Sequence, residues 1–316
     1  MTGTNEGDAM GAAAKALDVT VHYGDFKALD RVTCALRASA VTGLLGPNGA
    51  GKSTLIKTLL GFLAPSVGSC EVLGGDPLRV PLEVRRRVGY MPEHDASLPG
   101  RTGLASVVLA GRLAGMPREA AFSRSYEVLD YLGMDEVRHR PVTEYSVGLK
   151  QKIKLGQAVV HGPTLLLLDE PMSGLDPNSR DEMLALLHGI GRSGVAMVIS
   201  SHVLKDLEAL CDRVLVLDRG AVLYDGEMDG LRRTEEGRYR LRIKGDGVAL
   251  VRAMEDAGAS VDGVAPFLTV RVPEGARPDL IWAAARSTGC QVRELRLAAD
   301  SLEDAFLRLL GREGGV

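Results

Sequence analysis

The residues best suited to chemistry form a glycine-rich segment early in the chain. The segment comprises nine consecutive residues: Gly46, Pro47, Asn48, Gly49, Ala50, Gly51, Lys52, Ser53 and Thr54. They match the pattern G-x-x-x-x-G-K-[ST], in which glycines permit a tight turn whose backbone N–H groups point at one anion. Lys52 would contact the β- and γ-phosphates of a nucleotide, and the Ser53 hydroxyl would bind Mg²⁺.

The elements around this loop agree with the motif. Residues 41–45, Val-Thr-Gly-Leu-Leu, read as a buried strand that ends at the loop. Apolar residues then recur at helical spacing, at Leu55, Ile56, Leu59 and Leu60. The N-terminus of such a helix adds the positive end of its dipole to the anion site. A chance glycine-rich turn is the alternative, and the agreement of strand, loop and helix argues against it.

A pair of carboxylates about 115 residues later would complete a nucleotide site. Four leucines at 165–168 precede Asp169 and Glu170, and such a run is typical of a strand buried on both faces of a parallel sheet. Ligands bind at the carboxyl ends of these strands. Asp169 is therefore expected to hold Mg²⁺ through water, and Glu170 to orient and deprotonate an attacking water. The alternative for Asp169 is a helix N-cap.

A third apolar strand, at residues 195–200, leads to His202. By the same geometry His202 should reach the crevice and contact a γ-phosphate. A surface or purely structural histidine is the alternative.

Composition excludes several other classes of protein. The 316-residue chain has a net charge of −3, which gives no indication of nucleic-acid binding. Its four cysteines form no C-x-x-C pair, so we expect reduced thiols in a cytosolic protein rather than a zinc site or disulfides. No apolar run approaches the roughly 18 residues of a membrane helix. Residues 1–15 are expected to form a flexible tail without signal-peptide features.

Two further segments carry a family resemblance. Residues 145–152 read Tyr-Ser-Val-Gly-Leu-Lys-Gln-Lys, and residues 173–177 read Ser-Gly-Leu-Asp-Pro. Together with the loop, the carboxylate pair and the histidine, in this order, they make residues 16–226 resemble the nucleotide-binding subunit of ABC transporters. The resemblance implies an α/β fold, with a RecA-like parallel sheet core, an antiparallel β subdomain and a helical subdomain at about 97–160.

The resemblance also implies roles for single residues. Tyr23 would stack on adenine, although an isolated tyrosine is more often a plain strand residue. Ser146 and Gly148 would contact the γ-phosphate of a partner subunit's ATP, from a helix beginning near Leu149. Asp176 would link the two sites. Two copies, or one copy and a paralogue, would then close head-to-tail over two ATP molecules.

The chain departs from the family pattern at two places. The usual Leu-Ser-Gly-Gly-Gln signature has Val147 and Leu149 at its third and fifth positions. Glu93 stands where the family usually has a glutamine that touches Mg²⁺ and the attacking water. A glutamate still offers oxygen to Mg²⁺, so Glu93 is assigned to this role, with a solvated loop carboxylate as the alternative.

The last 90 residues or so, 227–316, predict a small α+β domain. Apolar and polar residues alternate at 238–244 and 267–272, which is typical of half-buried strands. Helical patterns follow each strand region, and Ser301 with Asp304 resembles a capping box. The order suggests a ferredoxin-like module. Its basic strand face at 238–244 would meet anionic lipid, an acidic partner or, more simply, solvent.

These patterns predict an ATP hydrolase that uses ATP and Mg²⁺ and drives transport, most simply export. Its expected partners are an integral-membrane permease and a second ATPase subunit, with no nucleic acid, at the cytoplasmic face of the inner membrane. An ABC ATPase that acts on ribosomes or DNA, and an importer subunit, are the alternatives.

Overall fold

The chain divides into two compact units, with the boundary in the sequence between Met228 and Asp229. The computed structural model describes residues 11–94, 100–231, 234–273, 278–299 and 302–311. In chain order, the elements of the first unit are β1 (Ala12–Tyr23), β2 (Phe26–Arg37), β3 (Val41–Leu45), α1 (Lys52–Leu59), β4 (Val67–Val72), α2 (Pro81–Arg85), β5 (Val88–Met91), α3 (Gly103–Leu113), α4 (Arg118–Tyr131), α5 (Val147–Val159), β6 (Leu165–Asp169), α6 (Pro177–Arg192), β7 (Ala196–Ser201), α7 (Leu204–Leu210), β8 (Arg213–Asp218) and β9 (Ala221–Glu227). The short helix α8 (Met228–Leu231) spans the boundary.

An antiparallel sheet of three strands in the order β2-β1-β4 forms one layer of the first unit. Its first strand begins at Ala12, so the part of the predicted tail at residues 12–15 belongs to the sheet. The alanine run there lacks an alternating pattern that would reveal a strand. Ala14 is nevertheless buried, because it lies between Leu36 of β2 and Val72 of β4.

A six-stranded sheet in the order β5-β6-β7-β3-β8-β9 forms the centre of the first unit. All neighbouring strands run parallel except β8 and β9. The four leucines of β6 are completely buried, as expected for a strand covered on both faces. Because parallel strands end at the same edge, the segments after β3, β6 and β7 come together there.

Helices α3, α4 and α5 pack on one another between β5 and β6 in the sequence, within the predicted helical subdomain. The hydroxyl of Thr102 caps α3 by accepting from Ala105 N–H. A short 3₁₀ helix, Val142–Glu144, leads into α5. Among the described residues, no helix is both long enough and apolar enough to span a membrane.

The second unit has its own hydrophobic core and a four-stranded antiparallel sheet. Its elements are β10 (Thr234–Lys244), α9 (Gly247–Asp256), β11 (Ser260–Val264), β12 (Phe267–Arg271), α10 (Asp279–Thr288), β13 (Gln291–Ala299) and α11 (Leu302–Leu309). The sheet order β11-β12-β10-β13 places the first strand between the third and fourth, the arrangement of a ferredoxin-like module. The predicted capping box at Ser301 and Asp304 lies outside the residues whose side chains are described.

Candidate nucleotide site

The glycine-rich loop joins β3 to α1 in a conformation that requires glycine at two points. At Gly51, φ is +105°, and an added Cβ would lie 2.7 Å from the Ala28 carbonyl oxygen. At Gly46, an added Cβ would lie 2.3 Å from the Leu217 carbonyl oxygen. Backbone packing on both sides of the loop therefore excludes larger residues at these two positions. The loop leads directly into the N-terminus of α1 at Lys52.

The loop forms one side of an open cavity of about 460 Å³. Eight of the nine predicted loop residues line this cavity. Tyr23, Glu93, Glu170 and His202 line it as well, together with three residues that the sequence analysis did not single out. The lining residues are Tyr23, Phe26, Ala28, Pro47, Asn48, Gly49, Ala50, Gly51, Lys52, Ser53, Thr54, Glu93, Glu170, Ser173 and His202. Residues far apart in the sequence thus converge on one nucleotide-sized space.

Three charged or ionisable side chains lie in contact at the base of the cavity. Lys52 Nζ donates to the Gly46 carbonyl oxygen at 2.7 Å and lies 3.5 Å from Glu170 Oε1. The other carboxylate oxygen, Oε2, lies 2.9 Å from His202 Nδ1. Lys52 and Glu170 are both buried, whereas the His202 side chain is half exposed. The carboxylate is therefore held from two sides, by a cation and by an imidazole.

Asp169 lies deeper than Glu170 and does not line the cavity. Its side chain is buried, and its Oδ1 accepts a hydrogen bond of 2.6 Å from the Ser200 hydroxyl. Ser200 also accepts from the Glu170 backbone N–H at 2.9 Å. Glu170 itself has a φ of +50°, in the left-handed region that residues with a side chain seldom adopt.

Glu93 reaches the cavity from the segment after β5. Lys154 of α5 holds this segment by donating to the Pro92 and Glu93 carbonyl oxygens, each at 2.8 Å. Burial, followed by the negative charges of Asp169 and Glu93, raises the pKa of the nearby Tyr90 to about 12. The cavity thus has two acidic groups in its lining, Glu93 and Glu170, together with the cationic Lys52 of the loop, which suits a phosphate accompanied by a divalent cation.

The segment at 146–149 lies away from the cavity. Helix α5 begins at Val147 rather than near Leu149, because the Ser146 hydroxyl caps it by accepting from the Leu149 N–H at 3.3 Å. Gly148 packs closely on α6, where an added Cβ would lie 2.8 Å from Ser179 Oγ.

Asp176 also lies outside the cavity lining, at the N-cap of α6. It accepts from the Ser179 hydroxyl and N–H, and these hydrogen bonds lower the pKa of its carboxyl group. The structure thus groups Ser146, Gly148 and Asp176 at the paired N-termini of α5 and α6, apart from the site of their own chain.

Comparison with known proteins places this arrangement in a family. Residues 29–173 match the family model described as ABC transporter. The daunorubicin/doxorubicin resistance ATP-binding protein DrrA of Streptomyces peucetius is 31% identical over 295 residues, covering 92% of this chain and 89% of the relative. The Nod factor export ATP-binding protein I of Burkholderia lata is 33% identical over 299 residues, covering 94% and 96%. The chain belongs to the ABC transporter family.

Solved structures agree with this assignment. An ATP-binding subunit of an ABC transporter is 27% identical, with a TM-score of 0.64 over 69% of this chain and 91% of that one. A dimeric bacterial ABC transporter cassette, MJ0796, has the same fold, with 21% identity and a TM-score of 0.62 over 68% and 98%. The predicted family, fold class and ATP hydrolase activity are confirmed.

The cavity lining also includes residues that the sequence analysis missed. Phe26 lines the cavity beside Tyr23, and both rings are substantially exposed. The signal was the sequence Tyr-Gly-Asp-Phe at 23–26, a tight hairpin turn that brings two aromatic residues to one end of β1 and β2. Ser173, three residues after Glu170, also lines the cavity. The sequence analysis named it only as the first residue of the 173–177 segment.

Proposed function

We propose that this ABC ATPase powers export through a separate membrane permease, working at the cytoplasmic face of the membrane as one of two ATPase subunits. The observation that carries the ATP-hydrolysis part of the proposal is the contact of Lys52 and His202 with the Glu170 carboxylate inside the loop cavity. The names of its full-length relatives, which concern drug resistance and Nod factor export, favour export over import or a role on ribosomes or DNA.

ATP would bind with its phosphates in the glycine-rich loop and its adenine toward Tyr23 and Phe26. The phosphates would lie at the loop and the α1 N-terminus. Lys52 would exchange its contact with Glu170 for the β- and γ-phosphates. This exchange would leave the Glu170 carboxylate available to take a proton from the attacking water, while His202 holds its second oxygen.

The residues at the cavity fit Mg²⁺ as a second ligand. Ser53 and Glu93 line the cavity, and the Asp169 carboxylate is held in one orientation by Ser200. All three residues offer oxygen, which Mg²⁺ prefers as a ligand. Among the described residues, however, no group of three or more acidic, histidine or cysteine side chains could hold a metal ion without other ligands. The metal would therefore bind with phosphate oxygens and water, and it would neutralise developing charge on the phosphates.

A complete site would require a second subunit. Ser146, Gly148 and Asp176 lie outside their own chain's cavity, as expected if they face the ATP of a partner. The capped N-terminus of α5 would then direct its positive dipole at that partner's γ-phosphate. A homodimer and a pair with a paralogue both satisfy this geometry.

The proposal is tested by affinity purification of the tagged chain from detergent-solubilised membranes of its source, with mass spectrometry. We expect a protein with several membrane spans to be recovered together with the tagged chain. This protein should not be recovered when detergent extraction is omitted. A tagged chain that is recovered with ribosomes or nucleic acid instead would contradict the export proposal and leave the ATPase assignment intact.

A further inference from the structure

The hydroxyl of Ser200 has an unusual position between the two halves of the nucleotide site. Ser200 lies on β7, which is buried along its whole length, and its own exposure is 0%. In the sheet register it pairs with Leu44, just before the glycine-rich loop, and with Asp169 at the end of β6. A polar group buried at such a place is costly unless it is hydrogen-bonded.

The Ser200 hydroxyl both donates and accepts a hydrogen bond, and both bonds are made to the acidic pair Asp169 and Glu170. As a donor it bonds to Asp169 Oδ1 at 2.6 Å, and as an acceptor it receives the Glu170 N–H at 2.9 Å. One side chain thus contacts the side chain of the first acidic residue and the backbone of the second. An apolar residue at this position would leave both partners without these bonds in a buried environment.

The bond to the Glu170 N–H coincides with the strained backbone of that residue. Glu170 adopts a φ of +50° without being glycine, and such conformations persist only where surrounding contacts fix them. From this backbone the side chain extends to Lys52 and His202. The direction of the carboxylate therefore depends on a turn that the Ser200 hydroxyl holds.

We propose that Ser200 is a positioning residue for ATP hydrolysis, which orients the Asp169 carboxylate and holds the backbone turn that aims Glu170. The inference rests on the proposed roles of Asp169 and Glu170 and adds the residue that sets their geometry. Ser200 does not line the cavity, so it acts through its neighbours and not on ATP directly.

The test compares Ser200→Ala and Ser200→Cys with Ser125→Ala in the full-length chain. Cysteine keeps nearly the size of serine but hydrogen-bonds weakly, so it provides a folded variant if alanine destabilises the chain. Ser125 is an equally buried serine whose hydroxyl donates to a helix carbonyl in α4, so it controls for the loss of any buried hydroxyl. Phosphate release is measured against ATP and against Mg²⁺, below the melting temperature of every variant.

The expected result for both Ser200 variants is a kcat at least tenfold lower, an ATP KM within about twofold of wild type, and a several-fold higher Mg²⁺ requirement. Ser125→Ala should change only the melting temperature. Because Ser200 acts partly through Glu170, adding Ser200→Ala to Glu170→Gln should lower turnover by a smaller factor than Ser200→Ala does in the wild-type chain.

Two results would overturn the inference in distinguishable ways. If wild-type protein hydrolyses ATP and both Ser200 variants match Ser125→Ala in kcat and Mg²⁺ requirement, Ser200 is structural only. If Glu170→Gln turns over as fast as wild type, the proposed base is wrong and the role of Ser200 fails with it.

Discussion

At the scale of single residues, the site is built from charged groups that already have partners. Lys52 contacts Glu170 and the Gly46 carbonyl oxygen, and Glu170 also contacts His202. A phosphate entering the loop would take the place of the Glu170 carboxylate as the charged partner of Lys52. The lysine is therefore held near the position where a phosphate would meet it.

Replacing Lys52 should weaken nucleotide binding itself. A hydrogen bond to a charged group contributes about 1.5–3 kcal/mol, so Lys52→Ala should raise the Kd for ATP roughly tenfold to a hundredfold, measured by titration calorimetry. Lys57→Ala, on the exposed side of the same helix, should leave the Kd unchanged. Wild-type affinity in Lys52→Ala would contradict the phosphate role of the loop.

At the scale of elements, the sequence predicts which strand ends form the site better than it predicts the contacts that hold those ends in place. β3, β6 and β7 are short apolar runs, each followed by the loop, the carboxylate pair or His202, and parallel packing brings these ends together. Motif and strand type are enough to predict this, because both depend on local sequence.

Features that depend on contacts distant in sequence were not predictable in the same way. The strand at 12–15 exists because its alanines lie between two other strands. The left-handed backbone of Glu170 is held by a hydroxyl 30 residues away. Neither leaves a periodic pattern or a turn signal in the local sequence.

His161, just after α5, gives a pH test of packing between elements. Its Nε2 lies 3.2 Å from the Val88 carbonyl oxygen at the start of β5, and burial lowers its pKa below the ordinary 6.5. The folded protein thus holds the neutral ring, while the unfolded chain takes up a proton more readily. Stability from this group should be complete above pH 6.5 and decrease as the pH falls below it, by at most about 1.4 kcal/mol per pH unit.

Urea unfolding of wild type and His161→Gln between pH 7 and pH 5 measures this effect. The variant keeps an N–H donor but does not titrate, so its free energy of unfolding should fall less steeply with decreasing pH. His188→Gln, at an exposed position, should retain the wild-type slope. Identical slopes for wild type and His161→Gln would show that burial of His161 does not couple folding to protons.

At the scale of the whole molecule, the chain combines an ATPase unit with a separately cored ferredoxin-like unit. The ATPase unit carries the nucleotide cavity on one set of residues and the α5 and α6 N-termini on another. In two copies that face head-to-tail, the α5 and α6 N-termini of each copy would lie at the nucleotide cavity of the other. Hydrolysis would then be an activity of the pair, which is how ATP use would be tied to a transport cycle.

The most direct test of this account is ATP turnover by Glu170→Gln, measured as phosphate release with Mg²⁺. Loss of a positioned general base should lower kcat at least a hundredfold, with ATP still bound and the 33.6 kDa chain shifting to the mass of two in light scattering. Glu119→Gln, an exposed carboxylate on α4, should keep wild-type turnover. Undiminished phosphate release by Glu170→Gln would contradict the central claim that this carboxylate activates the attacking water.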